Sequence, residues 1–404
     1  CVGKKYTPGN GFKVVAGHTD SPNLRVKPRS KKQTKDYVQL GVECYGGGLW
    51  RTWFDRDLSI SGRVLVRRFT TGMIEQRLVK LEAPIARISS LAIHLENEEE
   101  RRAFKVNKEN HLGPILATTV ETQVQEQLGG DAWVQGHEPM LLDCIAKQLG
   151  IDVKDIADFD LHLYDTQPSC LGGMKKEFLY AARLDNLASV FCGMEALIRY
   201  SNNEELFSND GDISLLACFD HEEVGSVSAQ GAGSPTVADA IRRISSALAD
   251  EESKHHLSPD LYATVLRKSF LISSDMAHGL HPNYASKHES AHAPIMNQGV
   301  VIKANQNQRY ATNTITGFIV REIARKANLK TPQEFVVRND SRCGSTIGPT
   351  LSAKTGVRTV DLGMPQLSMH SCREVMGTTD LTNCVDLFVA FFRYFREIDD
   401  HLEG

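Results

Sequence analysis

The stretch ISLLACF-DHEEVGS, residues 213–226, joins an apolar run to a group of ionisable side chains. The apolar run from Ile213 to Phe219 predicts a buried strand. Adjacent carboxylates at Glu222 and Glu223 are costly to place at the end of such a strand unless a partner or a task requires them. In α/β proteins, ligands bind where the carboxyl ends of strands open into a crevice. The stretch therefore predicts an α/β fold with a metal or acid/base site at this edge of the sheet.

Other apolar runs repeat this arrangement. Phe12 to Ala16 leads to His18 and Asp20, Phe270 to Ser273 leads to Asp275, and Thr359 to Leu362 precedes the loop that carries His370. Between these runs, apolar residues recur every three or four positions, which is typical of helices. These segments are Leu187 to Tyr200, Val237 to Leu248, Ile315 to Ala327 and Cys384 to Leu402. The alternation predicts an α/β/α sandwich with a largely parallel or mixed sheet.

Residues 23–173 have a different pattern, which predicts an inserted β-rich domain. Short alternating runs, Leu58 to Val66 and Ile85 to Ile93, are typical of strands. The basic segment Arg25 to Lys35 is interpreted as a solvated surface loop, and the aromatic run Tyr45 to Trp53 is compatible with an interface. The catalytic domain is then predicted to comprise residues 1–22 and 174–404.

Composition restricts the class of protein. The chain has 404 residues and a formal net charge of −4, so no overall field favours nucleic acid or an anionic membrane as a partner. No segment approaches eighteen consecutive apolar residues. The nine cysteines form no CxxC pair, which favours reduced thiols and a cytoplasmic location over a vacuolar one. Because the chain opens at Cys1 rather than Met, we expect a further N-terminal segment to precede it.

The candidate side chains together match what a site for two divalent cations requires. Such a site needs a bridging carboxylate, terminal His and carboxylate ligands, and a carboxylate that takes a proton from water. Taken singly, each candidate has an ordinary structural explanation, since a lone His is usually structural and an Asp before a helix is usually an N-cap. Their placement at several strand ends favours the metal site. The candidates are His18 with Asp20 to orient its imidazole, Asp185 as the bridge, Glu222 and Glu223 for the remaining carboxylate tasks, and Asp275 and His370 as further ligands.

Five of these motifs, in order along the chain, resemble the M18 family of metallo-aminopeptidases. They are GHTDSP at 17–22, RLDN at 183–186, EEVGS at 222–226, SDMAH at 274–278 and MHSCRE at 369–374. The resemblance implies two zinc ions per subunit, one held by His18, Asp185 and Asp275 and the other by Asp185, Glu223 and His370. It also implies that Glu222 is the general base. Imidazole and carboxylate ligands suit manganese and cobalt as well.

The resemblance is strongest to members that remove acidic residues, Asp and Glu, from the N-terminus of peptides. It implies that Lys303 pairs with the substrate carboxylate in a pocket that Tyr310 and His278 also line. It further implies that the inserted domain mediates dimerisation within a tetrahedral dodecamer. There His94 would reach the active site of a neighbouring subunit and stabilise the oxyanion.

Other functions remain open from the sequence. A neutral, Leu-preferring aminopeptidase of the vacuolar type is the main alternative. A different di-metal hydrolase, such as a carboxypeptidase or deacylase, would accept substrates with a blocked N-terminus. A scaffold that keeps metal only for folding is disfavoured, because Glu222 is not needed for ligation.

Overall fold

The computed structural model describes residues 1–119, 132–249 and 259–402. Its contacts divide the chain into two compact units. The first unit contains Cys1–Ser21, Ser169–Met369 and Glu374–Gly404, and the second contains Pro22–Pro168 and His370–Arg373. The predicted insert, 23–173, differs from the second unit by a few residues at its end and by the short segment 370–373.

The first unit is built on a sheet that has six strands among the described residues. In spatial order these are β10 (Ile213–Phe219), β1 (Phe12–His18), β11 (Phe270–Ser274), β15 (Arg358–Gly363), β13 (Val301–Ala304) and β14 (Gln333–Val336). All neighbouring pairs run parallel except β15 and β13, which are antiparallel. The strand predicted from Ile213 to Phe219 has those bounds in the structure, and the sheet is mixed. The strand lies at the edge of that sheet, a position that the sequence did not predict.

Helices cover both faces of this sheet. One face packs against α4 (Leu184–Ser201), α8 (Thr314–Lys326) and α10 (Thr378–Asp400), and the other against α6 (Thr236–Ala247), α7 (Pro259–Lys268) and α9 (Ile347–Thr355). Strand β1 shows why: Val15 points into the first core, while Val14 and Ala16 point into the second, because successive side chains of a strand alternate between faces. The α/β/α sandwich is therefore confirmed.

Shorter elements complete the first unit. A five-stranded sheet of described residues has the order β12 (Ala277–His278), β16 (Pro365–Leu367), β17 (Glu374–Gly377), β9 (Phe178–Ala181) and β8 (Cys170–Gly172). The short helix α5 (Glu204–Phe207) follows α4.

The second unit is β-rich. Its sheet has the order β5 (Met73–Lys80), β4 (Leu58–Arg68), β7 (Ile156–Asp165), β2 (Asn23–Thr34), β3 (Tyr37–Tyr45) and β6 (Ile115–Thr118). Its helices are α1 (Glu98–Arg102), α2 (Ala132–Gln135) and α3 (Pro139–Leu149). Trp50 and Trp53, in the run that was compatible with an interface, are instead buried in the core of this unit.

Two local predictions in the second unit are wrong. The basic segment Arg25 to Lys35 is not a loop: most of it belongs to β2, whose buried Leu24, Val26 and Ser30 alternate with charged side chains on the solvent face. The segment Ile85 to Ile93 is not a strand and forms only isolated bridges at Ala86 and Arg87. In both cases the hydrogen-bonding partners, which lie far away in the chain, decide the outcome rather than local composition.

Two general features of the described residues bear on the class of protein. None of their helices combines the length and the apolar character that crossing a membrane requires. The nine cysteines all lie in the described ranges, and each is a free thiol.

Candidate metal centre

Three parallel neighbouring strands deliver the candidate ligands to one edge of the sheet. His18 is the last residue of β1, Asp275 follows β11 directly, and Glu222 and Glu223 follow the end of β10. His221 adopts a left-handed φ of 61° and turns the chain into a short 3₁₀ helix at Glu222–Val224; His is among the non-glycine residues enriched in this conformation. The strand ends thus bring these side chains to one edge of the sheet.

The imidazole of His18 lies at the centre of the cluster. Its Nε2 atom is 3.3 Å from Asp185 Oδ1, 3.6 Å from Asp275 Oδ1 and 3.9 Å from Glu222 Oε2. Donor atoms of His18, Asp185 and Asp275 all lie within 4.8 Å of one another, and so do those of His18, Glu222 and Glu223. Donors this close, from a buried imidazole and carboxylates, form a set of ligands that zinc accepts.

Asp20 joins two of the strand-end loops. Its carboxylate accepts hydrogen bonds from the backbone N–H groups of Glu222 and Glu223, both at 3.1 Å. The same carboxylate lies 3.3 Å from Nδ1 of His18, and its backbone carbonyl lies 3.0 Å from that nitrogen. Asp20 therefore stands where the sequence predicts it, beside the imidazole, and it also holds the backbone of the Glu pair.

Asp185 is fixed through its backbone as well as its side chain. Its N–H donates to Glu374 Oε2 at 3.0 Å, and its carbonyl accepts from Ser21 Oγ at 2.7 Å. It has non-helical φ and ψ, and the peptide bond to Asn186 is cis. Asn186 in turn donates to the carbonyl of Ser274 at 2.7 Å. The supporting roles of Ser21 and Glu374 were missed, although both residues lie inside motifs that the sequence analysis singled out.

The electrostatics of the cluster favour a cation. Burial alone would lower the pKa of His18, but hydrogen bonds to Asp185, Asp20 and Asp275 outweigh it and raise that pKa well above its usual range. Burial, reinforced by the negative charge of Asp275, raises the pKa of Glu222 to about 7. Several buried carboxylates around one imidazole repel one another unless positive charge is present. The residues thus fit a divalent cation, which would supply that charge in place of a proton.

Lys303 lies beside this cluster. It sits in β13 with only 2% of its surface exposed. Its Nζ atom donates to the carbonyl of Met276 at 3.1 Å and lies 3.8 Å from Asp275 Oδ2. A lysine this buried requires partners of opposite charge or polarity. Lys303 is therefore not an ordinary exposed lysine at a strand end.

Tyr310 packs against Lys303, and Phe335 links Tyr310 to His278. The Lys303 ammonium lies 5.2 Å from the centre of the Tyr310 ring, and Phe335 packs edge-on against both Tyr310 and His278. The His278 side chain keeps a solvent-exposed surface, yet protein atoms crowd it closely enough that burial, with repulsion from Lys303, lowers its pKa to about 4. The lowered pKa favours the neutral form of His278.

Two candidate residues belong to the second unit. His370 lies in the segment 370–373, where its Nδ1 atom is 3.2 Å from the carbonyl of Gly47. His94 is exposed within a short 3₁₀ helix, Ile93–Leu95. Their roles at the active site stay predictions of the sequence.

The sandwich fold and the cluster of His, Asp and Glu at its strand ends are typical of a metal-dependent hydrolase. A family model described as aminopeptidase I zinc metalloprotease (M18) matches residues 1–392. The chain belongs to the M18 family of zinc metalloproteases and is a metallo-aminopeptidase. The family predicted from the five motifs is thereby confirmed.

Similar proteins agree with this assignment. A probable aspartyl aminopeptidase from Ricinus communis is 48% identical, over 99% of this chain and 84% of the relative. A cryo-EM structure of an Ape4 and Nbr1 complex contains a chain that is 44% identical, with a TM-score of 0.93 over 100% of this chain and 75% of that one. The mApe1 dodecamer of Saccharomyces cerevisiae is 31% identical, with a TM-score of 0.80 over 99% of this chain and 83% of that one.

Proposed function

We propose that this metallo-aminopeptidase removes acidic residues, Asp and Glu, from the N-terminus of peptides. The observation that carries the proposal is the buried ammonium of Lys303, which lies next to Asp275, a proposed metal ligand. A substrate carboxylate that enters such a site loses water and must be paired with a cation. The name of the relative from Ricinus communis, a probable aspartyl aminopeptidase, supports the same specificity.

The chain's own residues suit hydrolysis of the first peptide bond. His18, Asp185 and Asp275 would hold one zinc ion, and Asp185, Glu223 and His370 a second. Bound zinc lowers the pKa of water and polarises a carbonyl. Glu222 takes a proton from the attacking water while the water oxygen bonds to the scissile carbonyl carbon. Glu222 then gives that proton to the leaving nitrogen as the carbon–nitrogen bond breaks.

Replacing Lys303 with Leu tests the specificity. The substitution removes the cation that would pair with an acidic side chain but keeps an apolar side chain in the site. We expect kcat/KM on Asp and Glu peptides to fall by about tenfold or more, with a much smaller change on a matched Leu peptide. Equal losses on all three peptides would contradict the assignment, and a wild-type preference for Leu would favour the neutral aminopeptidase.

We further propose that the protein is a homo-oligomer, built as a tetrahedral dodecamer, in which His94 acts in the active site of a neighbouring subunit. The related mApe1 structure is a dodecamer. His94 lies between Ile93 and Leu95, whose side chains are 61% and 72% exposed in the single chain. Exposed apolar side chains of this kind are typical of an interaction surface, and an imidazole among them is suited to donating a hydrogen bond to an oxyanion.

Mixing two inactive variants tests whether sites are completed between subunits. His94→Ala and Glu222→Gln should each have low activity alone. When the two are co-expressed, some sites combine an intact Glu222 with an intact His94 from a neighbour, so activity should rise well above either variant. Co-expressing Glu222→Gln with a Glu222→Ala chain is the control, since no site then regains Glu222. Activity no higher than that control would contradict the proposal.

A further inference from the structure

Asp361 is a fully buried carboxylate that the mechanism does not use. It lies in β15, between β11, which Asp275 follows directly, and β13, which carries Lys303. Strands β13 and β15 pair antiparallel with Ile302 opposite Leu362. Continuing that register by one residue places Lys303 opposite Asp361. An ionised carboxylate in this position is costly unless several groups compensate it.

Each carboxylate oxygen of Asp361 accepts a hydrogen bond from a loop. Oδ1 accepts a hydrogen bond from Thr346 Oγ1 and Oδ2 accepts one from the backbone N–H of Ala311, each at 2.6 Å. The backbone of Asp361 also bonds to the Thr312 hydroxyl. That hydroxyl accepts a hydrogen bond from the Asp361 N–H at 2.9 Å and lies 3.3 Å from the Asp361 carbonyl oxygen. One residue thus ties two loops to the strand beside Lys303.

These loops carry Tyr310 and Cys343, which pack in one cluster beside Lys303. Ala311 directly follows Tyr310, whose ring faces the Lys303 ammonium. Thr346 directly precedes α9 and follows Cys343, which packs against the cluster that contains Tyr310. A shift of either loop would therefore move the walls around Lys303 without altering the metal ligands.

The surroundings of Asp361 are shaped to receive a carboxylate. A Cβ atom on Gly348 would lie 2.3 Å from Asp361 Oδ2 and 2.5 Å from Oδ1, so a side chain at that position would collide with the carboxylate. Burial raises the pKa of Asp361. The charge of Lys303 and the hydrogen bonds that Asp361 accepts act in the opposite direction. Lys303 and Asp361 are thus electrostatically linked.

We propose that Asp361 is a positioning residue that holds the Tyr310 loop and the Thr346 loop against Lys303 and so sets the preference for acidic first residues. It does not touch the scissile bond. This inference rests on the proposed function, because it concerns the preference that Lys303 is proposed to create.

The test measures kcat and KM on matched Asp and Leu peptides for wild type, Asp361→Asn, Thr346→Val and Thr346→Ser. The preference is the ratio of kcat/KM on the Asp peptide to that on the Leu peptide. We expect Asp361→Asn to lower the preference by about tenfold or more, chiefly through a higher KM for the Asp peptide. Thr346→Val should lower the preference less than Asp361→Asn does. Thr346→Ser, which keeps the hydroxyl donor, should retain the wild-type preference.

The outcomes separate the two proposals. A wild type without acidic preference overturns the proposed function, and with it the premise of this inference. Suppose instead that the wild type prefers acidic residues, but Asp361→Asn and Thr346→Val lose activity on both peptides in equal proportion. That result overturns the inference alone, because a merely structural role would not change the preference. If Asp361→Asn does not fold, the Thr346→Val and Thr346→Ser pair decides by the same criterion.

Discussion

Glu222 and Glu223 are adjacent carboxylates with different surroundings. The Glu222 carboxylate lies 3.9 Å from the imidazole of His18, and burial among negative groups raises its pKa to about 7. A carboxylate whose pKa lies near the working pH suits a group that must accept a proton and then return it. Glu223, by comparison, is expected to coordinate a metal ion through its negatively charged carboxylate. The two residues should therefore respond differently to loss of charge.

Replacing each glutamate with Gln separates these tasks. Glu222→Gln should lower kcat by about 100- to 10,000-fold and retain its zinc, since the proposed ligands remain. Glu223→Gln, the matched control on the neighbouring residue, should retain less zinc after dialysis. Zinc content is measured by elemental analysis alongside kcat. If Glu222→Gln were nearly as active as wild type, Glu222 would not be the general base.

At this scale, the sequence supports some site residues more readily than others. His18 and Asp275 could be predicted because each follows an apolar run that forms a strand. The burial of Lys303 could not, since its partners Asp275 and Met276 come from another strand end and its local sequence is also typical of an exposed lysine. Asp361 gave no signal at all, because its partners lie 15 and 50 residues away.

At the scale of elements, the centre depends on loops held together across strand ends. Asp20, after β1, accepts hydrogen bonds from the backbone of the Glu pair, after β10. Those hydrogen bonds fix where the short 3₁₀ helix begins, and the contact with His18 fixes the orientation of the imidazole. Supporting partners of this kind commonly affect metal affinity nearly as much as the ligands do.

Replacing Asp20 with Ala should therefore weaken metal binding by about 10- to 100-fold without removing a ligand. The measurement is the zinc dissociation constant from competition with a chromophoric chelator. Asp220→Ala is the control, because Asp220 is an exposed carboxylate on the loop of the Glu pair and accepts a hydrogen bond only from the neighbouring His221 N–H among the contacts described for it. Similar zinc affinities in the two variants would argue against the role of Asp20.

The elements themselves show where local pattern is sufficient. Strands β1, β10 and β11 were predictable because each consists mainly of apolar residues, as strands in a covered sheet do. Strand β2 was not predictable. Lys27, Arg29 and Lys31 on its outer face give the segment a high positive charge, which hides the apolar residues on its inner face. The register of β2 with β3 is interrupted between Val26 and Lys31, which further obscures that alternation.

For the whole molecule, the family assignment and the site geometry lead to one central claim. The protein is a metal-dependent aminopeptidase, and the proposal adds that it requires an acidic first residue with a free amine. Because the cluster around His18 contains several carboxylates, a positively charged substrate amine would be attracted to it, whereas an acetylated one would not. This difference separates an aminopeptidase from a carboxypeptidase or deacylase with a similar metal centre.

The most direct test of this claim measures release of the first residue from matched Asp, Glu, Leu and N-acetyl-Asp peptides, with and without a chelator. We predict release from the Asp and Glu peptides that the chelator abolishes and that added zinc restores. The Leu peptide should be a poor substrate, and the acetylated peptide should not be cleaved. Cleavage of the acetylated peptide, or release that persists after complete removal of metal, would contradict the account.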